Sequence, residues 1–318
     1  MALYSIKGDK LTLVGEKAIA LERHLQKLTE DNLQEVFGLI KVKSEFSLKG
    51  FRIDTLAYDP ENKSFVIIEY KRDKSFSVID QGYSYLSLML NNKAEFTEEY
   101  REQLGKDLKR GEVDWSQSKV LFLASAFSTY QENAIHFKDL PIELWKVKTF
   151  ENSTILYNKL DSTDTKASIK TLEKNPEVKQ VAKEVIVPSV ADHLEGLNEE
   201  TKDLFFEVRD MVMNFGSEIQ EVPKKKYVAY KVNNKNFVDI ILYKQRKELR
   251  LTLNLRSGEL NDPKNLTTDF TKPAKGHWGN GDYEVIIRDQ KDINYALLLV
   301  QQAYEKALKA LPQSGASK

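Results

Sequence analysis

The sequence contains no cysteine, which excludes disulfides, thiolate metal sites and a cysteine nucleophile. Histidine is nearly as scarce. His24, His136, His193 and His277 are scattered singly through 318 residues, so a histidine-rich zinc site is not expected. Long apolar runs are also missing. VLFLASAF and YALLLV are the longest, far short of the roughly 20 residues that cross a bilayer. The opening MALYSIKGDK lacks the apolar core and cleavage site of a signal peptide. These absences lead us to expect a soluble cytoplasmic protein with no membrane partner. Nor is there an excess of either charge: 48 basic residues balance 48 acidic ones. That balance argues against a protein that coats nucleic acid by charge alone.

With 41% hydrophobic and 30% charged residues, the chain can build ordinary globular cores, and its length suggests two domains. Val14, Ala18, Leu21, Leu25, Leu28, Val36 and Phe37 recur at helical spacing and predict a helix over 14–37. GLIKVKSEFSL, FRIDTLAYD and KSFVIIEYK then read as three strands, the last two joined by the turn DPEN. Helical spacing returns in SVIDQGYSYLSLML and KAEFTEEYREQLGKDL. KVLFLASAF follows as a buried strand, STYQENAIHF as a capped helix, and IELWKVKTF and TILYNKL as strands. This order predicts an α/β domain over residues 1–160, an αβββαβ core with a mixed sheet.

Residues 161–196 are polar, poor in aromatics and punctuated by Pro176 and Pro188; they predict a linker with one short helix. From residue 197 a helix, antiparallel strands (KKYVAYKV, NFVDIILYK, ELRLTLNL, DYEVIIRD) and a closing helix predict a smaller α+β domain over 197–312. Residues 313–318 are expected to be a disordered tail. Between Glu221 and Arg256 ten Lys/Arg face three acids, an electrostatic footprint. Lys224, Lys225 and Lys226, interleaved with Tyr227, Tyr230 and Tyr243, are candidates for phosphate contact and base stacking. The equally plain alternative is the solvated face of a hairpin. GHWGNGD, residues 276–282, reads more readily as a tight loop than as a phosphate cradle.

The stretch VIIEYKR, residues 66–72, carries the chemistry. A strand alternates faces, so Glu69 and Lys71 project together, and Asp54 shares a face with Arg52 on the preceding strand. Pairing about the DPENK turn brings the two carboxylates side by side. Simply buried, two carboxylates and an ammonium are unfavourable. A divalent cation relieves that penalty and leaves coordination positions for water and phosphate. Gln81 and Tyr85, four apart, share one side of the next helix, and Glu22 can point a further carboxylate at the same place. Glu30 and Glu35 lie on the same helical segment and leave the helix-one carboxylate open, with Glu22 preferred over Glu30.

This ordered set resembles the PD-(D/E)xK nuclease superfamily, in particular its RecB-like branch with a Gln-x-x-x-Tyr helix. Ile53 stands where the family has proline before the aspartate. The chain also resembles uncharacterised bacterial proteins labelled predicted transport proteins, in which such a domain precedes a C-terminal domain of unknown function. The resemblance implies a restriction-endonuclease-like fold with Glu22, Asp54 and Glu69 as metal ligands. Lys71, Gln81 and Tyr85 join them in catalysis, with Mg²⁺, or Mn²⁺ in its place, as cofactor. It implies a deoxyribonuclease, in repair or defence, with DNA as partner; Arg52 and Arg72 flank the set as DNA contacts. A homodimer is compatible with this reading, and no nucleotide cofactor is implied. The alternative is a catalytically silent module that binds nucleic acid or protein on a nuclease-like fold.

Overall fold

The computed structural model describes residues 2–18, 22–71, 77–109, 111–137, 139–160, 168, 176–271 and 280–309. The chain divides into two units, Met1–Val187 and Pro188–Lys318. It is an α/β protein, with a mixed sheet in the first unit and an antiparallel sheet in the second.

The first unit opens with a hairpin, β1 (Leu3–Lys7) and β2 (Lys10–Val14), and a short β3 (Glu16–Lys17). Helices α1 (Glu22–Asp31) and α2 (Leu33–Phe37) follow. The helix expected from residue 14 is thus corrected: Val14 pairs with Leu3 in a strand. The cause is a period of two in KLTLV, whose Leu11 and Leu13 stand opposite Ile6 and Tyr4, and this outweighs the sparser helical pattern.

Next come β4 (Ile40–Leu48), β5 (Phe51–Asp59) and β6 (Ser64–Lys71), an antiparallel meander. Lys49 and Gly50 both take positive φ, 48° and 82°, the two-residue loop that matches hairpin twist and suits glycine. It fixes Leu48 opposite Phe51, and therefore every pairing behind it. Helices α3 (Val78–Asn91) and α4 (Lys93–Leu104) lead to β7 (Lys119–Ala124), parallel to β6. Then α5 (Thr129–Ala134) leads to β8 (Ile142–Phe150), parallel to β7, and β9 (Ile155–Lys159) returns antiparallel on β8. The strand order is β3-β8-β7-β6-β5-β4. Phe65, Ile67, Phe122 and Leu144 bury one sheet face against Leu86, Met89 and Phe96 of α3 and α4. Val66, Ile68, Leu121 and Leu123 bury the other against Leu25 and Leu33 of α1 and α2. Trp115 stacks on Phe65 and Trp145 packs edge-on to Phe37, both as packing residues.

The expected linker is also corrected. Helix α6 (Pro176–Glu184) and the residue that follows it place Val178, Val181 and Val185 in the core of the first unit. Lys93 Nζ donates to Glu184 at 2.8 Å, and Ile186 N to Ser116 O at 2.8 Å. What read as linker polarity is the solvent face of a packed helix. Residues 161–167 and 169–175 lie outside the described residues. A fragment 1–187 is therefore expected to melt cooperatively, whereas 1–160 should lose about 4 kcal/mol or more, since three buried valines are each worth about 1.5–3 kcal/mol. Urea titration of the two fragments checks this, and equal midpoints would restore the earlier boundary.

Among the described residues, the second unit comprises α7 (Val190–Leu194), α8 (Glu199–Met213), six strands and α9 (Gln290–Lys309). Its strands are β10 (Ile219–Pro223), β11 (Val228–Val232), β12 (Lys235–Tyr243), β13 (Glu248–Leu253), β14 (Thr267–Asp269) and β15 (Tyr283–Ile287). They run in the order β10-β11-β12-β13-β15-β14. Phe205, Val208, Val300 and Ala303 of α8 and α9 pack on Val238, Ile240 and Leu251. The two strands that the sequence pattern left out, β10 and β14, are the two edges, where short, proline-bearing or polar segments are tolerated. Residues 276–279 of the GHWG segment and the tail 313–318 lie outside the described residues.

Candidate active site

Thr55 pairs with Ile68 across β5 and β6, so the next position out brings Asp54 beside Glu69. Asp54 N donates to Glu69 Oε1 at 3.1 Å, and Tyr70 N donates to Asp54 Oδ2 at 2.9 Å. Lys71 Nζ donates to Glu69 Oε2 at 3.2 Å. Helix α3 supplies the other wall. Ser77 caps it by accepting from Asp80 N, which fixes Gln81 in its first turns. Gly82 follows; a Cβ there would stand 2.4 Å from Ile142 Cδ1, so the helix lies tight on the sheet. Gln81 Nε2 donates to Glu69 Oε2 at 3.3 Å and to Tyr85 OH at 3.0 Å. The Tyr85 hydroxyl donates to Arg52 O at 3.1 Å. Asp54, Glu69, Lys71, Gln81 and Tyr85 thus meet at one place.

Glu69 is 2% exposed. Burial, followed by the charge of Asp54, pushes its carboxyl up to about 7. Asp54 is also raised, chiefly by burial, with the Tyr70 N–H and Lys71 pulling the other way. Burial and then Glu69 raise the Tyr85 phenol. Gln81 Oε1 is buried with no hydrogen-bond donor among the described residues. Two adjoining carboxylates held against their ionised state and an orphaned amide oxygen suit a hard divalent cation, which is often held by one or two carboxylates plus substrate oxygens. No group of three or more His, Asp and Glu side chains among the described residues is arranged to hold a metal.

The α1 side separates the two carboxylates that the sequence left open. Glu22 is exposed in the first turn and lines a cleft of about 700 Å³ with Gln26, Glu45, Arg52 and Asp54. Glu30 is buried and accepts from Thr55 Oγ1 at 2.7 Å and Ser44 Oγ at 2.9 Å. It lies on the Tyr70 face of the sheet, because Thr55 also reaches Tyr70 OH, and Glu69 points from the opposite face. Two cleft residues were missed. Glu45 stands opposite Asp54, between the Ser44–Thr55 and Phe46–Ile53 pairs; counting back from the Lys49–Gly50 turn gives that position. Gln26 Nε2 donates to Asp54 O at 2.9 Å, and no local pattern marks it.

Among the nucleic-acid candidates, Arg52 is exposed and pairs with Glu45, and Arg72 lies outside the described residues. Lys224 is half-buried and Lys225 and Lys226 are exposed in the β10–β11 turn. The antiparallel meander puts the exposed Lys244, Arg246 and Lys247 of the β12–β13 turn at the same end of the sheet. Tyr227 and Tyr230 are corrected: they are 7% and 0% exposed, and Tyr230 OH donates to Glu221 Oε2 at 2.9 Å. Alternation along β11 turns Tyr230 to the helix side, so neither ring offers a face to a base.

An uncharacterised protein of Haemophilus influenzae is 42% identical over 305 residues, which cover 95% of this chain and 99% of that protein. The chain belongs to the family of that protein. Residues 190–307 match the family model described as a domain of unknown function, DUF5655. A repair endonuclease from Pyrococcus abyssi is 12% identical with a TM-score of 0.22, over 42% of this chain and 60% of that one. An EndoMS–dsDNA2 complex gives 12% and 0.20, over 41% and 57%. Pyrococcus furiosus SfsA in complex with Ca²⁺ gives 16% and 0.26, over 50% and 75%. The chain thus spans under two thirds of the first two. Among the described residues, no helix is long and apolar enough to cross a membrane.

Proposed function

We propose that the first unit is a metal-dependent phosphodiesterase that cuts DNA, with Mg²⁺ as cofactor and Mn²⁺ as substitute. The observation that supports it most is the buried Asp54–Glu69 pair, with Lys71 Nζ 3.2 Å from Glu69. Asp54 and Glu69 would hold the cation, and Gln81 Oε1 offers an oxygen to its water shell. When bound, a divalent cation supplies charge neutralisation at the scissile phosphate and lowers the pKa of water. Lys71 directs its ammonium at the attacking water or a phosphate oxygen, held in line by Glu69. Tyr85 and Gln81 keep Glu69 in its rotamer. Arg52, at the cleft rim, contacts the DNA backbone. Glu22, exposed on the same cleft, would add a further carboxylate.

Cleavage of labelled single-stranded, duplex, nicked and branched DNA under Mg²⁺ and Mn²⁺ tests the proposal. A wild type that cuts none of them, and whose melting point no divalent metal moves, overturns it. The silent binding module then takes its place.

The basic end of the second unit is the companion proposal. Reversing Lys224, Lys225 and Lys226 to Glu is expected to lower DNA affinity and flatten its dependence on salt, because fewer counterions are released. Fluorescence anisotropy across a salt series measures both. Unchanged affinity and slope would leave these lysines as a solvated turn.

A further inference from the structure

We infer that Gln26 is a positioning residue, which fixes the Asp54 main chain and through it the aim of the Asp54 carboxylate. The inference rests on the metal-dependent reading of that carboxylate. Gln26 is 8% exposed, and its one Nε2 faces four oxygens from three elements, Ser44 Oγ at 3.4 Å being the most distant. It donates to Asp54 O at 2.9 Å, Glu30 Oε1 at 3.1 Å and Glu45 Oε1 at 3.2 Å. The shortest contact falls where the β4–β5 ladder is interrupted. Pairing passes from Ser44–Thr55 to Phe46–Ile53 without joining Glu45 to Asp54, and Glu45 takes a φ of 55°. At this interruption a side-chain amide from α1 occupies a carbonyl of the strand. Asp54 is then held on three sides: its N–H by Glu69, its Oδ2 by Tyr70 N, and its C=O by Gln26. Without the last of these, the peptide plane after Asp54 is free to tilt, and the carboxylate swings with it. The same amide lies between Glu30 and Glu45, so it also keeps two carboxylates quiet beside a third.

Gln26→Leu removes the donor at nearly constant volume. Gln26→Asn keeps the amide but withdraws it by one methylene, and serves if the leucine variant does not fold. Thr29→Val is the control on the same helix; it breaks the contacts with Tyr157 OH at 2.9 Å and with the Tyr70 phenol, so it also controls for any disturbance of Tyr70 itself, and it removes no contact to Asp54. Two readouts are taken besides cleavage: exchange of the Tyr70 amide in metal-free protein, and the Mn²⁺ concentration that half-saturates the thermal shift. Outer-shell partners of metal ligands typically change metal affinity by about 10- to 100-fold. Gln26→Leu or Gln26→Asn is expected to speed Tyr70 exchange and to raise the Mn²⁺ midpoint at least about tenfold. Cleavage should fall in kcat with KM for DNA little changed. Thr29→Val should lower the melting point and leave exchange at Tyr70 and the Mn²⁺ midpoint as in wild type. If a Gln26 variant and Thr29→Val move these readouts equally, Gln26 merely packs the helix and the inference is overturned. It is also overturned if the Gln26 variants match wild type. A wild type with no response to Mn²⁺ overturns the metal reading itself, and this inference with it.

Discussion

Replacing Lys71 with alanine should slow DNA cleavage by about 10²- to 10⁴-fold, the usual worth of positioned acid–base or electrostatic help. DNA affinity and melting point should stay near those of wild type. Lys71 ends β6 with its side chain 18% exposed and 3.2 Å from Glu69 Oε2, so it is partly open to solvent and outside the apolar core. Its removal leaves Glu69 bound to Asp54 N and Gln81 Nε2, and the metal-induced thermal shift should survive. That separates it from a ligand. Lys71→Arg should not rescue, because a guanidinium fork does not reproduce a compact point charge. Single-turnover cleavage beside anisotropy and melting curves makes the test. Cleavage by Lys71→Ala at the wild-type rate would remove the lysine from the chemistry.

The site was legible in the sequence to the extent that it lies on regular elements. Strand alternation put Glu69 with Lys71, helical spacing put Gln81 with Tyr85, and the DPEN turn set the strand pairing that joins Asp54 to Glu69. Those are short-range rules, and they survive folding. The α1 side was not legible in the same way. Glu22 and Glu30 both line the cleft, but Thr55 and Ser44 capture the Glu30 carboxylate on the Tyr70 face of the sheet, and those partners lie on other elements. Gln26 acts through a carbonyl 28 residues away, and a carbonyl leaves no trace in sequence. Tyr227 and Tyr230 show the converse error. Their spacing among lysines suggested a stacking platform, but alternation along one strand had already assigned Tyr230 to the helix side with Val228 and Val232. The domain boundary failed because α6 buries only a valine stripe, and its remaining residues have the composition of a linker.

Glu69→Gln should stabilise the metal-free protein at pH 8 and at the same time abolish the thermal response to Mn²⁺. In the fold, Glu69 titrates at about 7 against an ordinary value of 4.5, so between those values the folded chain binds more protons than the unfolded one. A raised carboxyl pKa therefore lowers stability as pH climbs through that window. The penalty is absent below pH 4.5 and complete above about 7. Its full size is about 3 kcal/mol at about 1.4 kcal/mol per pKa unit. Glutamine does not ionise, and its oxygen can still accept from Asp54 N, but the bonds from Lys71 and Gln81 to Oε2 are lost or reversed. The net gain should thus be about 1–2 kcal/mol at pH 8, or about 3–6 °C for a unit of this size. Near pH 5 the gain should vanish or reverse. Other carboxyls titrate in both proteins, so only the difference between variant and wild type isolates Glu69. Mn²⁺ should restore the wild type at pH 8, since a ligand of the folded state alone raises its stability with concentration, and should leave Glu69→Gln unmoved. A variant that is less stable than wild type by the same margin at pH 5 and pH 8 would mean that Glu69 carries no ionisation penalty. The case for a cation between it and Asp54 would then lose its physical basis.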